Sequence, residues 1–195
     1  QLQPRGILLR GDSRSRREQG LPGGAEVVHG EVPEQVALEE NGVRFMAPIH
    51  AGQKTGWFYD HRMSRARLRA WVRGKSVLDV YSYIGGWGIQ AAAFGAAEVC
   101  CLDSSAAALE GVAANARLNG LQDQVTTLRG SAPETMAELR ARGRQFDVVI
   151  LDPPAFIQRR KDLKKGITAY RRINELGLDL LRPGGLLVSA SCSMH

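Results

Sequence analysis

The chain has 195 residues, 44% of them hydrophobic and 24% charged, which is the balance of a soluble domain with a small appendage. No apolar run approaches the roughly 18 residues that a membrane-spanning helix needs, and the arginine-rich residues 1–25 do not resemble a signal peptide, so we expect a cytoplasmic protein. The three cysteines include an adjacent pair, which excludes a disulfide framework, and they lack the spacing of a zinc site.

The net charge of +6 is modest, but the positive side chains cluster along the sequence. Such clusters attract polyphosphates, although any one of them could be an ordinary solvated surface. Three clusters in one domain favour a nucleic acid as the partner. The clusters are Arg14, Arg16 and Arg17; Arg62, Arg65, Arg67, Arg69 and Arg73; and Arg159, Arg160, Lys161, Lys164, Lys165, Arg171 and Arg172.

Residues 1–50 differ in composition and pattern from the rest of the chain. Their apolar runs are short and broken by glycine and proline, which indicates β-strands and turns. From about residue 61 the pattern becomes regular: Leu68, Trp71 and Val72 recur at helical spacing among arginines, and Gly74 ends this amphipathic helix. We therefore predict a β-rich connector or subdomain at residues 1–50 and a main domain at residues 51–195.

Strands and helices then alternate to the end of the chain. The apolar runs predict strands at 76–83, 98–103, 124–130, 146–152 and 186–191, the last two reading as buried. Helices fall between them, one opened by Pro133, one stopped by Gly120, and one through residues 169–181. This order predicts an α/β fold with a Rossmann-like, doubly wound, mainly parallel sheet, whose ligands bind beyond the carboxyl ends of the strands.

A glycine turn follows the first of these strands in the sequence "DVYSYIGGWG". Gly85, Gly86 and Gly88 would let the backbone approach a ligand, although packing alone can also require such glycines. Residues 85–90 read G-G-W-G-I-Q, so the dinucleotide fingerprint is missing. Asp103 ends the second strand, where it could accept ribose hydroxyls or cap the next helix. Together these features favour S-adenosylmethionine over a nicotinamide cofactor.

The fourth strand ends in "DPPAF", residues 152–156. Two prolines stiffen the loop and fix the directions of Asp152 and Phe156. A carboxylate beside an aromatic ring suits a planar heterocycle. The alternative is a turn with a capping aspartate, but a strand that ends in Asp-Pro-Pro is uncommon enough to favour a functional role.

Cys192 follows the next strand, which should lie beside the fourth, so it is expected to converge with Asp152 on one crevice. A strand cysteine is usually a packing residue, and Cys100 and Cys101 are predicted to be core. The position opposite "DPPAF" instead favours a nucleophile. A thiolate that adds to C6 of a pyrimidine would activate C5 towards a methyl donor, while Asp152 shares a proton with the N3 edge of cytosine.

The segments "GQKTGWFYDHR" (52–62), "VLDVYSYIGGWG", "DPPAF" and "SCS" together resemble the class I S-adenosylmethionine-dependent methyltransferases that form 5-methylcytosine in 23S ribosomal RNA. The resemblance implies a class I methyltransferase fold with Asp103 on the ribose, Asp152 and Pro153 at the target base, and Cys192 as the nucleophile. It also implies that the "GQKTG" segment, with Gln53, flanks the methionine end of the cofactor. The same segment could be only the edge of a β-hairpin.

The candidate site residues follow from these motifs and the resemblance. Catalytic roles are predicted for Cys192 and Asp152. Cofactor binding is predicted for Lys54, Thr55, Asp79, Tyr81, Gly85, Gly86, Asp103, Asp152 and Pro153. Substrate binding is predicted for Pro154, Phe156, Arg62, Arg159, Arg160 and Lys161. No metal ligand is predicted.

The sequence departs from the resembled pattern in three respects. His61 stands where those relatives usually carry glutamine, and "YIGGWG" replaces "YTGGF", which affects the detailed cofactor contacts. Those relatives also continue past "SCS" with further strands and carry an N-terminal PUA domain, so the fold is expected to be C-terminally incomplete here.

The favoured function is methyl transfer from S-adenosylmethionine to C5 of a cytosine in ribosomal RNA through a covalent Cys192 adduct. A methyltransferase of guanine or adenine amino groups could use "DPPAF" without a thiol. A non-catalytic RNA-binding module could keep the fold without turnover, and a nicotinamide oxidoreductase is the least favoured reading. RNA is the predicted partner; no membrane or metal is predicted, and an oligomer is compatible with the sequence.

Overall fold

The computed structural model describes residues 3–11, 16, 18–21, 23–50 and 56–193. The chain forms two compact units, Gln1–Ala37 with Ala47–Phe58 and Leu38–Met46 with Tyr59–His195. The boundary that the sequence predicts at residue 50 thus falls inside a stretch that groups with the first unit. The second unit contains the α/β fold.

Short antiparallel strands dominate the first 50 residues, as predicted. Strand β1 (Gly6–Arg10) pairs with β2 (Ala25–Gly30). Strands β3 (Gln35–Glu40) and β4 (Val43–Pro48) form a second pair. The turn between β3 and β4 is Asn41-Gly42 with φ of 56° and 81°, the positive values that a two-residue hairpin turn requires and that asparagine and glycine tolerate. Residues Leu38–Met46, around this turn, belong to the second unit.

The arginine-rich helix is shorter than the sequence predicts. Helix α1 (Arg62–Arg67) passes into a 3-10 turn (Leu68–Ala70) instead of continuing to Gly74. Leu68 and Val72 are buried as expected, but Trp71 is 60% exposed. The 3-10 turn ends before Trp71, whose φ is −124°, so its side chain no longer shares a helical face with Leu68.

Arg65 is an interior residue, which corrects its assignment to a basic cluster that could attract nucleic acid. Its side chain is 3% exposed and that of Glu40 is 1% exposed. The guanidinium donates from Nε to Glu40 Oε1 at 2.6 Å and from Nη2 to Glu40 Oε2 at 3.0 Å. Gln90 donates to the same carboxylate at 2.9 Å and accepts from Asn41 Nδ2 at 2.7 Å. This buried network joins the β3–β4 turn to two helices.

Five parallel strands form the main sheet, in the order β7-β6-β5-β8-β9. They are β5 (Ser76–Val80), β6 (Glu98–Asp103), β7 (Val125–Arg129), β8 (Phe146–Leu151) and β9 (Leu181–Ser189). The connecting helices are α2 (Gly88–Ala93), α3 (Ala106–Leu118), α4 (Ala132–Ala141) and α5 (Leu163–Asp179). Within the described ranges, no helix has the length and apolar character to cross a bilayer.

Alternation along the strands places helices on both faces of the sheet. Leu78 and Leu102 pack with Met136 of α4 and Ile173 of α5 on one face. Helix α2 starts against Asp79 on the other face. The chain reverses direction across the sheet between β5 and β8, so a crevice opens at their carboxyl ends. The predicted Rossmann-like, doubly wound fold is confirmed.

Strand β9 differs from its predicted form. It begins at Leu181, and its residues Leu186, Leu187 and Val188 are only partly buried. Among the described strands β9 pairs only with β8, so one of its edges is unpaired, and the expectation of full burial was wrong. Helix α5 also begins earlier than predicted, at Leu163. The ends of β8 and β9 lie side by side because Leu151 pairs with Ser189.

We expect Arg65→Met to destabilise the fold by about 3–5 kcal/mol, because it leaves the Glu40 carboxylate buried without its counter-charge. Urea denaturation followed by circular dichroism measures the loss. The control is Arg67→Met, which removes an exposed guanidinium of the same helix and should change the free energy of unfolding by less than about 0.5 kcal/mol. Equal stabilities of the two variants would contradict a structural role for the pair.

Candidate active site at the carboxyl edge of the sheet

The loop after β5 has an unusual backbone. Tyr81 and Tyr83 have φ of 64° and 50°, values that non-glycine residues seldom adopt. The backbone N–H groups of Tyr81 and Ser82 both donate to the Leu102 carbonyl, at 2.9 and 3.1 Å, which ties the loop to β6. Such strained conformations persist where the surroundings enforce them, and they concentrate at functional sites.

Glycine is required at different positions of this turn for different physical reasons. Gly85 has φ of 87°, and a Cβ there would lie 2.6 Å from Ile89 Cγ1. A Cβ on Gly88 would lie 2.5 Å from Cys101 Sγ and 3.0 Å from Asp79 Oδ2. Packing of α2 against the sheet therefore explains Gly88, the alternative that the sequence left open. Gly86 is only partly buried, so its backbone remains accessible to a ligand.

Asp79 is a fully buried carboxyl on β5. Its Oδ2 accepts from the Gly88 N–H at 2.8 Å, while its Oδ1 has no hydrogen-bond partner in the described part of the chain. Burial, with smaller contributions from the nearby Asp152 and Asp103 carboxylates and against the lowering effect of the Gly88 N–H, raises the pKa of Asp79 to about 8. A cationic ligand would offset the desolvation that holds this carboxyl neutral.

Asp103 accepts hydrogen bonds from the loop after β5 and is not the N-cap of the next helix. Its Oδ2 accepts from the Tyr83 N–H and its Oδ1 from the Ser105 N–H, both at 2.9 Å. Ser105 caps α3 through its Oγ, which accepts from the Ala108 N–H at 3.2 Å. Each oxygen of an ionised carboxylate has a second lone-pair site, so Asp103 can still accept a pair of vicinal hydroxyls.

Asp152 lies directly after β8 and meets two side chains that sequence reasoning did not connect with it. Its Oδ2 accepts from Trp87 Nε1 at 2.9 Å. Its Oδ1 lies 3.7 Å from His61 Nε2, too far for a hydrogen bond. The His61 and Trp87 rings are 5.6 Å apart. The sequence marked His61 and Trp87 only as departures from the resembled motifs and gave no sign that they lie beside Asp152.

The loop after β9 brings Cys192 to the same edge of the sheet. Cys192 is exposed, and its Sγ lies 3.8 Å from the Pro153 carbonyl oxygen. The flanking Ser191 and Ser193 hydroxyls lie 3.0 and 2.8 Å from the Tyr170 hydroxyl. The Ile157 N–H also donates to Ser193 Oγ at 3.1 Å. These bonds attach the Cys192 loop to the loop after β8, where the sequence placed its partner Asp152.

Phe156 lies between two tyrosines at this edge. Its ring centroid is 4.8 Å from that of Tyr170 and 6.3 Å from that of Tyr81. Burial, with a smaller contribution from Tyr170, raises the pKa of Tyr81 to about 12, so Tyr81 stays neutral and can donate a hydrogen bond. Pro153 is buried and Pro154 is exposed. The aromatic cluster supports both loops that carry Asp152 and Cys192.

The remaining predicted site residues are less constrained. Gln53, Lys54 and Thr55 lie outside the described residues. Arg62 is exposed beside His61 at the start of α1, and Arg160 and Lys161 are exposed on a 3-10 turn before α5. Arg159 pairs with Asp162 at 3.2 Å. Among the described side chains no group of three or more His, Cys, Asp and Glu could hold a metal ion.

The residues at this edge fit S-adenosylmethionine. The lone-pair sites that Asp103 has left can accept the two hydroxyls of a ribose, and the partly buried backbone at Gly86 remains accessible to a ligand. The orphaned Oδ1 of the buried Asp79 carboxyl favours a ligand with positive charge or a donor group. S-adenosylmethionine carries a sulfonium and an ammonium group.

Comparison with known families agrees with this fit. Residues 10–193 match the family described as S-adenosylmethionine-dependent methyltransferase. The chain belongs to this family. It is also similar to "Ribosomal RNA large subunit methyltransferase I" of Aeromonas salmonicida, 41% identical over 189 residues, and of Vibrio cholerae, 38% identical over 191 residues. Each match covers 96% of this chain and 48% of the relative, so the chain spans about half the length of these relatives.

Solved methyltransferase structures share the fold. The crystal structure of SMU.776, complexed with SAH, is 27% identical with a TM-score of 0.74, covering 84% of this chain and 43% of that one. A SAM-dependent methyltransferase from Agrobacterium tumefaciens is 24% identical with a TM-score of 0.72, covering 85% and 55%. At that lower identity the likeness concerns the fold alone.

Asp79→Asn keeps the shape of the side chain and removes its ionisation. The folded pKa of about 8 exceeds the ordinary value of 3.8, so the stability that the protonated carboxyl contributes is complete below pH 3.8 and lost as the pH rises through about 8. We therefore expect the Tm advantage of Asp79→Asn over the unaltered protein to grow between about pH 4 and pH 8 and to level off above pH 8 in scanning calorimetry. A difference no more pH-dependent than that of the exposed Asp123→Asn control would count against a buried neutral Asp79.

Tyr170→Phe keeps the ring contact with Phe156 and removes the hydroxyl that meets Ser191 and Ser193. We expect amide hydrogen exchange in residues 190–193 to rise about tenfold, because about one hydrogen bond's worth of local stability is lost. Mass spectrometry of peptic fragments measures the exchange. Tyr59→Phe, which removes the hydroxyl of a 64% exposed tyrosine, is the control. Unchanged exchange in the Cys192 loop would show that the Tyr170 hydroxyl does not hold it.

Proposed function

We propose that the chain is the methyl-transferring part of an RNA (cytosine-C5) methyltransferase that acts on large-subunit ribosomal RNA. One observation carries the proposal: the Cys192 thiol and the Asp152–Pro153 segment meet at the ends of neighbouring parallel strands, with Sγ 3.8 Å from the Pro153 carbonyl oxygen. The names of the relatives, which are 38–41% identical over nearly the whole chain, support the ribosomal RNA substrate.

S-adenosylmethionine supplies an electrophilic methyl group to this reaction. We assign its ribose to Asp103 and its nucleoside to the turn with Tyr81, Gly85 and Gly86. Its methionine end is assigned to Lys54 and Thr55, with Asp79 and Pro153 completing the cofactor side. The orphaned carboxyl oxygen of Asp79 supports this arrangement because a buried acceptor favours a ligand that carries positive charge.

Cys192 acts as the nucleophile on the target cytosine. Its thiolate forms a bond to C6, and the electron pair of the C5–C6 double bond moves to C5, which takes the methyl group as the bond from that group to the sulfonium sulfur breaks and leaves a neutral thioether. C5 then gives up its proton to solvent, the double bond re-forms, and the Cys192–C6 bond breaks to release the thiolate. The other two cysteines are poorly suited to this role, since burial raises the pKa of Cys100 and raises that of Cys101 further.

Asp152 stabilises the adduct by sharing a proton with N3 of the cytosine, where negative charge develops when the thiolate adds. Phe156 and Pro154 flank the base from the same loop. Arg62, Arg159, Arg160 and Lys161 provide positive charge for the RNA backbone, and all four are exposed. Arg65 takes no part in RNA binding because it is buried against Glu40.

Incubation of the intact protein with tritiated S-adenosylmethionine and unmodified ribosomal RNA, followed by nucleoside analysis, tests the proposal. We expect label in 5-methylcytidine, and Cys192→Ser should reduce the rate by at least about a thousandfold. Cys100→Ser, which alters a half-buried cysteine away from the site, should retain the rate. RNA that contains 5-fluorocytidine should form a denaturation-resistant adduct with the unaltered protein and not with Cys192→Ser, because fluorine at C5 prevents release.

Other results identify the alternatives. Full methyl transfer by Cys192→Ala, with label in a purine nucleoside, would replace the proposal with amino-group methylation. Absence of S-adenosylmethionine binding in calorimetry would favour a non-catalytic RNA-binding module.

A further inference from the structure

The indole of Trp87 connects the two halves of the candidate site. Trp87 belongs to the glycine turn after β5, and its Nε1–H donates at 2.9 Å to Asp152, which lies 65 residues later after β8. The side chain is almost fully buried, with 4% exposed, and buried indole N–H groups need an acceptor. None of the roles assigned above to the cofactor turn or to the "DPPAF" loop uses this bond.

The position of the Trp87 ring is set by neighbours from α1. The Arg65 guanidinium carbon lies 5.8 Å from the ring centroid, and Arg65 is itself fixed by its bidentate pair with Glu40. His61 lies on the ring at 5.6 Å between centroids. The direction of the indole N–H is therefore fixed before any ligand binds.

The chemistry of an indole determines what this bond does to the carboxyl group. The indole N–H can only donate, so Asp152 Oδ2 serves as an acceptor, and a proton taken up by the carboxyl is favoured on Oδ1. In the described part of the chain Oδ1 accepts no hydrogen bond, and the nearest cation-forming group, His61 Nε2, is 3.7 Å away. Oδ1 is thus the oxygen that remains for a substrate.

We infer that Trp87 is a positioning residue that orients the Asp152 carboxyl and directs its proton to Oδ1, the oxygen that meets the N3 edge of the target base. The identification of that base rests on the proposed function. The orientation of Asp152 rests only on the contacts described here.

The indole signals of a 15N-labelled protein test the bond without any turnover. The chain has three tryptophans, and Trp57→Phe and Trp71→Phe assign the Trp87 signal by elimination. We expect the Trp87 N–H shift to follow an acid titration that Asp152→Asn abolishes. His61→Gln should leave that step in place. The other facing groups are Arg65 and Asp79, and Asp79→Asn identifies the contribution of Asp79. A Trp87 signal that Asp152→Asn does not affect would overturn the inference.

A double-mutant cycle tests the consequence for catalysis in the intact protein. Trp87→Phe keeps an aromatic ring and removes the donor, and we expect kcat to fall about ten- to a hundredfold, as for a lost hydrogen bond to an ionised group. The dissociation constant of S-adenosylmethionine should stay within about threefold, and the exposed Trp71→Phe control should keep the unaltered kcat. In an Asp152→Asn background Trp87→Phe should cost nothing further, because it acts through Asp152.

Equal costs in both backgrounds would mean that Trp87 only supports the fold, and would overturn the inference. If Asp152→Asn turns over too slowly to measure, or Trp87→Phe does not fold, the NMR titration decides. The outcomes are separable from those of the proposed function: label in a nucleoside other than 5-methylcytidine rejects the function, while an additive cycle on an enzyme that makes 5-methylcytidine rejects only the role of Trp87.

Discussion

The arrangement of the site depends on one buried ion pair between Glu40 and Arg65. A carboxylate removed from water must have its charge and lone pairs satisfied, and Glu40 accepts hydrogen bonds from both Arg65 and Gln90. Gln90 also donates to the Gly86 carbonyl at 3.0 Å. The network thus extends from the β3–β4 turn through the start of α2 to the backbone of the glycine turn, and the same Arg65 lies on the Trp87 ring.

The parallel sheet and the side-chain contacts position different parts of the site. Strand pairing alone fixes the ends of β5, β6, β8 and β9 at one edge, with a spacing set by backbone hydrogen bonds. The loops beyond those ends need further restraints. The Trp87–Asp152 bond joins the cofactor turn to the β8 loop, and the Tyr170 hydroxyl joins the β9 loop to the same region. Loss of one of these few hydrogen bonds would therefore displace the loops of the site while the strand pairing stays intact.

Much of this architecture could be predicted from the sequence because strands and helices each leave a periodic pattern of apolar residues. Alternating apolar runs fix the order of strands and helices, and adjacency of the fourth and fifth strands brings Asp152 and Cys192 to one edge. Tertiary pairings have no such periodic signal: nothing near Arg65 in the sequence reveals that Glu40, 25 residues earlier, neutralises it. The last strand was predicted to begin at Leu186 but begins at Leu181, where a shifted register against β8 accommodates Pro183 and the glycines that follow it.

The buried Asp79 carboxyl imposes a condition on any ligand that binds at this edge of the sheet. Burial, with smaller contributions from Asp152 and Asp103, raises the pKa of Asp79 to about 8, so the carboxyl is mostly protonated at neutral pH. If positive charge of the cofactor lies beside Asp79, as the proposed function has it, release of this proton accompanies binding. The thioether that remains after methyl transfer is neutral, so on the same proposal Asp79 favours the donor over the product.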